Sequence, residues 1–349
     1  MLSTEQWPPC RAGALAPSDG YTRNQDLSRP HGDVPETQPI SAPCWQLLLQ
    51  LAQRRRSGTL SAAAAGYFLN RDNALQQCAA NADTAALVRQ PDGGFTPGPA
   101  LSTDEQAFAA LYCPLLSATA ANPITVGHLG QSLDSRIATS QGDSFFVTGE
   151  QNLQHLHRMR ALCDAIVVGA NTALADNPRL TTRLVEGPNP VRVVLDPSAR
   201  LVCPLHLLED DAAPTLLVHA RGVRPRHEAP GIIHIEGKSG ELHPEAVRAA
   251  LVARGLHAIF VEGGGVTVSH WLNAGVLNRL QLACAPMLVG HGRPAIQIPG
   301  SQSMSAAMRP PYRLYQMGPD LLYDFDLDEP GAETAAAVNA TTTLFRRLV

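Results

Sequence analysis

The stretch HAIFVEGGGVTVSHWLNAG, residues 257–275, decides the fold. An apolar run typical of a buried strand ends at Glu262, three glycines follow, and a helical pattern begins directly after them. Adjacent glycines can adopt positive φ and let a ligand approach the backbone, and the free N–H groups at a helix start attract phosphate. Thr267 and Ser269 add hydroxyl donors. The stretch predicts a phosphate site, with close strand–helix packing as the alternative role of the glycines.

Around this turn, the sequence from Pro123 onward alternates short β-branched runs with helical patterns. Such alternation is typical of an α/β fold with a mostly parallel sheet and flanking helices. Two late strand-like runs, RLYQMG and LLYDFDL, are joined by Gly318-Pro319-Asp320, which predicts an antiparallel hairpin at the C-terminal end. A standard Rossmann dinucleotide site is not predicted, because G-x-G-x-x-G and its acidic ribose ligand are missing.

Composition and pattern divide the chain into four parts: an irregular arm (1–40), a small and mainly helical region (41–120), the α/β domain (121–328) and a low-complexity tail (329–349). The second part is predicted to hold three helices: one around Trp45, one over Ser61–Ala80 and one from Ser102 to near Pro114. The role of this region is not apparent from its sequence.

Composition also argues against several classes of protein. The 349 residues include 17% charged side chains and carry a net charge of −4, which gives no electrostatic reason to expect nucleic acid or anionic membrane. The seven cysteines are odd in number and form no C-x-x-C pair. This argues against a disulfide framework and a zinc ribbon, and it fits a protein of the reducing cytoplasm. With no secretory signal, no membrane-length apolar run and no metal-binding motif, we expect a cytoplasmic protein without a metal ion.

Two further stretches place polar side chains after strand-like runs. In GHLGQSLDSRIATSQGDSFFVTG (127–149) a polar cluster reaches Asp134, and in DAIVVGANTALADNPRLTTR (164–183) Arg179 and Arg183 follow the strand. Ligands bind at the carboxyl ends of strands in open α/β sheets, and arginine suits a phosphate oxyanion. The alternatives are a turn and capping cluster for the first stretch and a solvated charged face for the second.

Taken together, these stretches resemble a known family. In order, the matching segments are GQSLDSRIAT, GDSFFVTG, HRMRALCDAIVVGANTALADNPRLTTR, NPVRVVLD, FVEGGG and APMLVGHGRPAI, between residues 130 and 296. They are similar to the C-terminal reductase domain of the bifunctional riboflavin-biosynthesis deaminase/reductase, the RibD C-terminal family. The resemblance implies a dihydrofolate reductase-like fold.

The resemblance also implies a reduction by NADPH, with hydride transfer to C1 of the sugar of a 5-phosphoribosylamino-pyrimidine, which opens ribose to a ribityl chain. The implied cofactor-binding residues are Gly130, Phe146, Thr172, Asp176, Ser198, Gly264, Gly265, Val266, Thr267 and Ser269. The implied substrate-binding residues are His128, Ser144, Arg160, Leu180, Arg183 and Glu262. We take Glu262 and Asp134 as the candidate catalytic residues, Glu262 to bind sugar hydroxyls or to assist proton transfer. The family also implies a homodimer.

Three positions depart from the family pattern. His128 stands where the family usually has lysine, Ser135 where it has glycine and Phe146 where it often has tryptophan. Loss of the lysine removes a fixed cation near the substrate, which a histidine replaces only in part. Two alternatives therefore stay open: a reductase of the same fold for a pterin or another small carbonyl or imine, and a non-catalytic nucleotide-binding module.

Overall fold

The computed structural model describes residues 42–328, apart from gaps at 145–146, 202–204, 225–230 and 237–240. The predicted arm (1–40) and tail (329–349) lie outside the described residues. Among the helices described, none is long and apolar enough to cross a membrane.

The first part of the described chain forms two helices and a small antiparallel sheet. Its elements are α1 (Ala42–Arg56), β1 (Ala65–Leu69), β2 (Leu75–Cys78), β3 (Leu87–Arg89), β4 (Phe95–Pro97) and α2 (Thr103–Leu116). The sheet has the order β2-β1-β3-β4. The helices predicted around Trp45 and after Ser102 are confirmed; α2 begins there because Ser102 and Glu105 form a capping box.

The helix predicted over Ser61–Ala80 is wrong, because this segment forms β1, β2 and the turn between them. The side-chain oxygen of Asn70 accepts hydrogen bonds from the backbone N–H groups of Asp72 and Ala74, and Asn73 has a φ of 57°. This is the chemistry of a tight turn, and the aromatic residues before it favour a strand. The high alanine content of the segment suggested a helix, but the turn residues and the tertiary pairing decide its structure.

The remaining described residues form the α/β domain. Its elements are β5 (Ile124–Ser132), β6 (Arg136–Thr139), α3 (Glu150–Leu162), β7 (Ala165–Gly169), α4 (Ala170–Asp176), β8 (Val191–Leu195), α5 (His206–Glu209), β9 (Thr215–Ala220), β10 (Ile232–Ile235), α6 (Pro244–Val252), β11 (Ala258–Glu262), α7 (Gly265–Asn273), β12 (Arg279–Ala285), β13 (Gly292–Pro294), β14 (Tyr312–Met317) and β15 (Asp320–Asp326).

Nine of these described strands form one sheet, in the order β10-β9-β8-β7-β11-β5-β12-β15-β14. The pairs from β10 to β12 are all parallel, whereas β15 is antiparallel to both of its neighbours. The predicted α/β class, the mostly parallel sheet and the hairpin at the C-terminal end are thereby confirmed. The hairpin turns at Gly318, whose φ is 63°.

Successive strand residues point to opposite faces of this sheet, and apolar residues of each face are buried in a core. Ile166 and Phe260 belong to a core with apolar residues of α1, α2 and α3. Val167 and Ile259 belong to a second core with α6 and α7. The boundary predicted near residue 120 therefore separates two sheets in the sequence, but the first core contains residues from both sides of it.

Candidate active site

The candidate site lies at the carboxyl ends of β5, β7 and β11. The turn after β11 and the turn after β7 are in direct contact: the Gly264 N–H donates to Thr172 Oγ1 at 3.3 Å. A Cβ placed on Gly169 would lie 2.7 Å from Thr267 Oγ1. Two predicted cofactor residues, Thr172 and Thr267, are thus brought together between the starts of α4 and α7.

The three glycines of the opening stretch serve different purposes. Gly263 has a φ of +154°, a conformation that side chains rarely adopt. A Cβ on Gly265 would collide with the carbonyl oxygen of Ala295, so this glycine allows close packing. Gly264 has only Thr172 Oγ1 near its Cβ position, at 3.4 Å, and no described side chain caps α7. The start of α7 therefore retains backbone N–H groups that an anion can use.

Glu262 is held by Arg160 of α3. Arg160 Nε donates to Glu262 Oε2 at 2.9 Å, and Nη2 donates to Oε1 at 2.5 Å. Both side chains are largely buried, and Nη1 of Arg160 also donates to the carbonyl oxygen of Thr181 at 3.2 Å. The arginine that the sequence assigned to the substrate therefore fixes the orientation of Glu262.

His128 lies beside Glu262, since the two are register partners on β5 and β11. Its Nε2–H donates to Asn152 Oδ1 at 3.2 Å. Burial lowers the pKa of His128 to about 4, although Glu262 acts in the opposite direction. The imidazole is neutral at neutral pH, so His128 does not supply the cation that a lysine at this position would provide.

A row of polar residues continues from His128 across the sheet. Gln281 of β12 is the register partner of His128 and also of Asp324 on β15. Above this row, His155 of α3 donates from Nε2 to Gln281 Oε1 and accepts at Nδ1 from the hydroxyl of Tyr112, both at 2.9 Å. Burial lowers the pKa of His155 to about 3. His155 and Tyr112 therefore connect this row of polar residues to α2.

Residues 180–187 form a loop beside the Arg160–Glu262 pair. We call this loop the arginine loop. Leu180 is buried with a φ of 53°. The backbone N–H of Arg183 donates to His157 Nδ1 at 2.8 Å, and its Nη1 donates to Thr181 Oγ1 at 2.8 Å. Burial, followed by the charges of Arg160 and Arg179, lowers the pKa of Arg183. These cations repel one another, so an anion bound among them would be stabilised.

Asp134 lies in a turn and is engaged there on both oxygens. Oδ1 accepts from Ser132 Oγ at 2.5 Å and from the Val289 N–H at 3.1 Å, and Oδ2 accepts from the Gly290 N–H at 2.7 Å. These hydrogen bonds, Ser132 first, lower the pKa of Asp134 to about 2. The contacts are those of a residue that holds two loops together, and a catalytic role for Asp134 stays a prediction.

The other predicted site residues are spread along the same edge of the sheet. Gly130 packs against Thr148, and Ser269 is buried with its Oγ accepting from the Gln297 N–H at 2.8 Å. Four lie exposed on turns or helix ends: Ser144, Asp176, Ser198 and Val266. Phe146 lies outside the described residues. No group of three or more His, Cys, Asp or Glu side chains that could hold a metal ion occurs in the described part.

Sequence reasoning missed several residues that support the site. No motif or periodicity in the sequence singles out His157, Asn152, Thr181 or Tyr112. Their partners lie up to 43 residues away. The sequence shows that α3 carries several polar residues, but it does not show which residues elsewhere in the chain they contact.

A family model described as the RibD C-terminal domain matches residues 125–323 of this sequence. The chain belongs to this family. The match includes all the predicted cofactor-binding, substrate-binding and catalytic residues and leaves out α1, β1–β4 and α2.

Individual relatives agree with this assignment. The chain is 33% identical over 214 residues to 2,5-diamino-6-ribosylamino-4(3H)-pyrimidinone 5′-phosphate reductase of Methanothermobacter thermautotrophicus, which covers 58% of this chain and 97% of that protein. It is 33% identical over 198 residues to the riboflavin biosynthesis protein RibD of Bacillus amyloliquefaciens, which covers 54% of this chain and 53% of the relative. The chain thus spans nearly all of one relative and about half of the other.

Solved RibD structures have the same fold. Form 2 of Acinetobacter baumannii RibD superposes with a TM-score of 0.54 at 19% identity, covering 81% of this chain and 97% of that one. The Thermotoga maritima deaminase/reductase gives 0.51 at 23% identity, covering 66% and 63%.

Proposed function

We propose that this chain reduces the sugar of a 5-phosphoribosylamino-pyrimidine to a ribityl chain with NADPH as the reductant. The observation that carries the proposal is the Arg160–Glu262 pair, which lies beside the arginine loop. Glu262 is the last residue of β11, so the pair lies at the same edge of the sheet as the uncapped N-terminus of α7. Relatives that share this family are named as reductases of such a phosphate ester.

The arginine loop supports the phosphate part of the substrate. Burial lowers the pKa of the Arg183 guanidinium, and the charges of Arg160 and Arg179 lie close enough to lower it further. Arg160 is committed to Glu262 and Thr181, whereas the guanidinium of Arg183 has one intraloop hydrogen bond, to Thr181. We therefore assign the substrate phosphate to Arg183, whose planar guanidinium suits a phosphate oxyanion.

The start of α7 and the Thr172 hydroxyl support the cofactor. Gly264 leaves the backbone approachable, and the N–H groups of the first turn of α7 suit a phosphate of a dinucleotide. When bound, NADPH supplies the hydride that C1 of the ring-opened sugar receives. Preference for NADPH over NADH is part of the proposal and is tested by comparing their kcat/KM values.

Glu262 supports the sugar. Its carboxylate is held by two hydrogen bonds from Arg160, so it presents a fixed acceptor toward the edge of the sheet. Ring opening breaks the C1–O4 bond and leaves a proton on O4, and C1 becomes part of an imine before reduction. We assign Glu262 to orient the sugar hydroxyls during this change.

The experiment is a turnover assay on the full chain. Absorbance at 340 nm follows NADPH with 5-amino-6-(5-phosphoribosylamino)uracil and, separately, with its 2,5-diamino-pyrimidinone counterpart. We expect oxidation with at least one, and a ribityl product heavier by two hydrogens in mass spectrometry. NADPH oxidation with a pterin alone would contradict the proposal, and failure to bind NADPH at micromolar concentration would favour a non-catalytic module.

We further propose that the protein acts in the cytoplasm as a homodimer. The described cysteines are free, which fits a reducing compartment, and dimers are the expectation from the family. Light scattering after size-exclusion chromatography should give twice the chain mass of 37.2 kDa. A monomeric mass at micromolar concentration would contradict the dimer without affecting the proposed reaction.

A further inference from the structure

Helix α1 touches the arginine loop directly. The indole Nε1 of Trp45 donates to the carbonyl oxygen of Glu186 at 3.0 Å, and Gln46 Nε2 donates to the carboxylate of the same residue. A Cβ on Gly187 would lie 3.2 Å from Leu49 Cδ2, so the loop backbone also packs against α1. The first two turns of α1 therefore contact the loop through three side chains.

The opposite side of the loop is held by α3. His157 Nδ1 accepts the N–H of Arg183 at 2.8 Å and lies 3.4 Å from that of Leu184. A Cβ on Gly187 would lie 2.5 Å from Ala161 Cβ of α3. The arginine loop, which has no regular secondary structure of its own, is thus held at Arg183 by a histidine of α3 and at Glu186 by two donors of α1.

Helix α1 is itself fixed at both ends. Near its start, the ring of Trp45 meets Phe108 and Tyr112 of α2 edge-on, at centroid distances of 6.4 and 6.1 Å. At its end, Arg55 and Arg56 bind the buried carboxylate of Asp164. About ten residues, or roughly 15 Å of helix, separate these two anchors. A helix fixed in this way can hold a loop at a constant place.

We propose that α1 is a positioning element of the active site, in which Trp45 and Gln46 hold the arginine loop so that Arg183 is presented to the substrate phosphate. This inference rests on the proposed function. Trp45 and Gln46 lie before the part of the chain that matches the family, which begins at residue 125, whereas the loop that they hold lies within it. The N-terminal region thereby acquires a role in substrate binding.

The test uses the full chain with the double substitution Trp45→Phe and Gln46→Ala. Phenylalanine keeps an aromatic ring against α2 but removes the indole donor, and alanine removes the contact with Glu186. The matched control is Gln50→Ala, because Gln50 is on the same helix but bonds to Asn73 and Leu75 of the small sheet. Both proteins are first compared with the wild type for thermal stability and for NADPH affinity.

Two readouts separate positioning from a general structural effect. Hydrogen exchange of the Arg183 and Leu184 amides should accelerate by roughly tenfold in the double variant and stay unchanged in the control. The KM for the phosphorylated substrate should rise about tenfold with kcat and NADPH affinity nearly constant. For the same compound without its 5′-phosphate, wild type and variant should have equal kcat/KM.

Specific outcomes would overturn the inference. These are unchanged exchange at Arg183 and Leu184, an equal loss with the dephosphorylated compound, or the same changes in Gln50→Ala. If the wild type turns over no phosphoribosylamino-pyrimidine, the proposed function fails. The exchange readout still decides whether α1 holds the loop, because it needs no substrate.

Discussion

Ser135 occupies a backbone conformation that favours glycine. Its φ is 61°, its N–H donates to the Ser132 carbonyl, and its own carbonyl accepts from Ala295, so the turn is fixed by backbone hydrogen bonds. A left-handed conformation costs a side-chain-bearing residue roughly 1 kcal/mol, which glycine avoids at some cost in unfolded-state entropy. A glycine at this place, as the sequence resemblance implies for the family, would adopt the same conformation without this cost.

We predict that Ser135→Gly raises the free energy of unfolding by about 0.5 kcal/mol. Urea denaturation monitored by circular dichroism measures it. Ser117→Gly is the matched control, because Ser117 has an ordinary φ of −84° at the end of α2. This substitution should lower the free energy of unfolding. A loss of stability in Ser135→Gly would show that the serine hydroxyl contributes more than the strain removes.

Glu262→Gln should separate turnover from cofactor binding. The amide retains the shape of the carboxylate but leaves Arg160 without its partner charge and weakens the acceptor for the sugar. We expect kcat to fall about 100-fold while the NADPH dissociation constant changes less than about twofold. Steady-state kinetics and a fluorescence titration test this, with the exposed Glu236→Gln as control. An equal loss of cofactor affinity would place Glu262 at the cofactor instead.

At the scale of elements, α3 and β5 bring buried neutral histidines into the fold. Burial lowers the pKa of His155 to about 3 and the pKa of His128 to about 4, against about 6.5 in an unfolded chain. Between these values the unfolded state binds more protons than the folded state. Stability therefore rises with pH in this window and is lost as pH falls from about 6.5 toward 4.

We predict that the free energy of unfolding decreases between pH 7 and pH 5, by about 2 kcal/mol for each of these histidines. His155→Gln should lower stability at pH 7 but make its pH dependence shallower by about one proton. The exposed His270→Gln should leave the slope as it is. Urea denaturation across this range measures the effect. A flat profile would mean that the buried histidines are hydrated or charged in the folded state.

The elements differ in how far their sequence predicts them. The strands of the nine-stranded sheet, including the hairpin of β14 and β15, are predictable because their apolar runs, glycines and turn residues are local signals. The segment that forms β1 and β2 is alanine-rich, and its strand pairing with β3 is a tertiary effect that overrides the local pattern.

The site was predictable to a similar extent. Glu262, Thr172 and the glycines follow strands that end at one edge, so their proximity follows from the α/β topology. The hydrogen bond between Trp45 and Glu186 joins residues 141 positions apart, and the one between His155 and Gln281 joins residues 126 apart. No period or motif in a single sequence contains such pairings.

At the scale of the whole molecule, the shared core implies that the N-terminal region and the α/β domain unfold together. Leu48 and Leu51 of α1 are fully buried in the same cluster as Leu162 and Ile166. The ion pairs from Arg55 and Arg56 to Asp164 join the same two parts of the chain. Separating them would expose this core and leave buried charges unpaired, which is strongly unfavourable.

We therefore predict a single transition in differential scanning calorimetry of the full chain. Leu51→Ala should lower the free energy of unfolding by about 2–5 kcal/mol and move the whole transition to lower temperature without splitting it. Leu251→Ala on α6, which is equally buried in the other core, should have the same kind of effect. If Leu51→Ala instead produced an early separate transition while the rest melted as in the wild type, the N-terminal region would be an independent unit. Its hold on the arginine loop would then be lost at a lower temperature than the fold of the site.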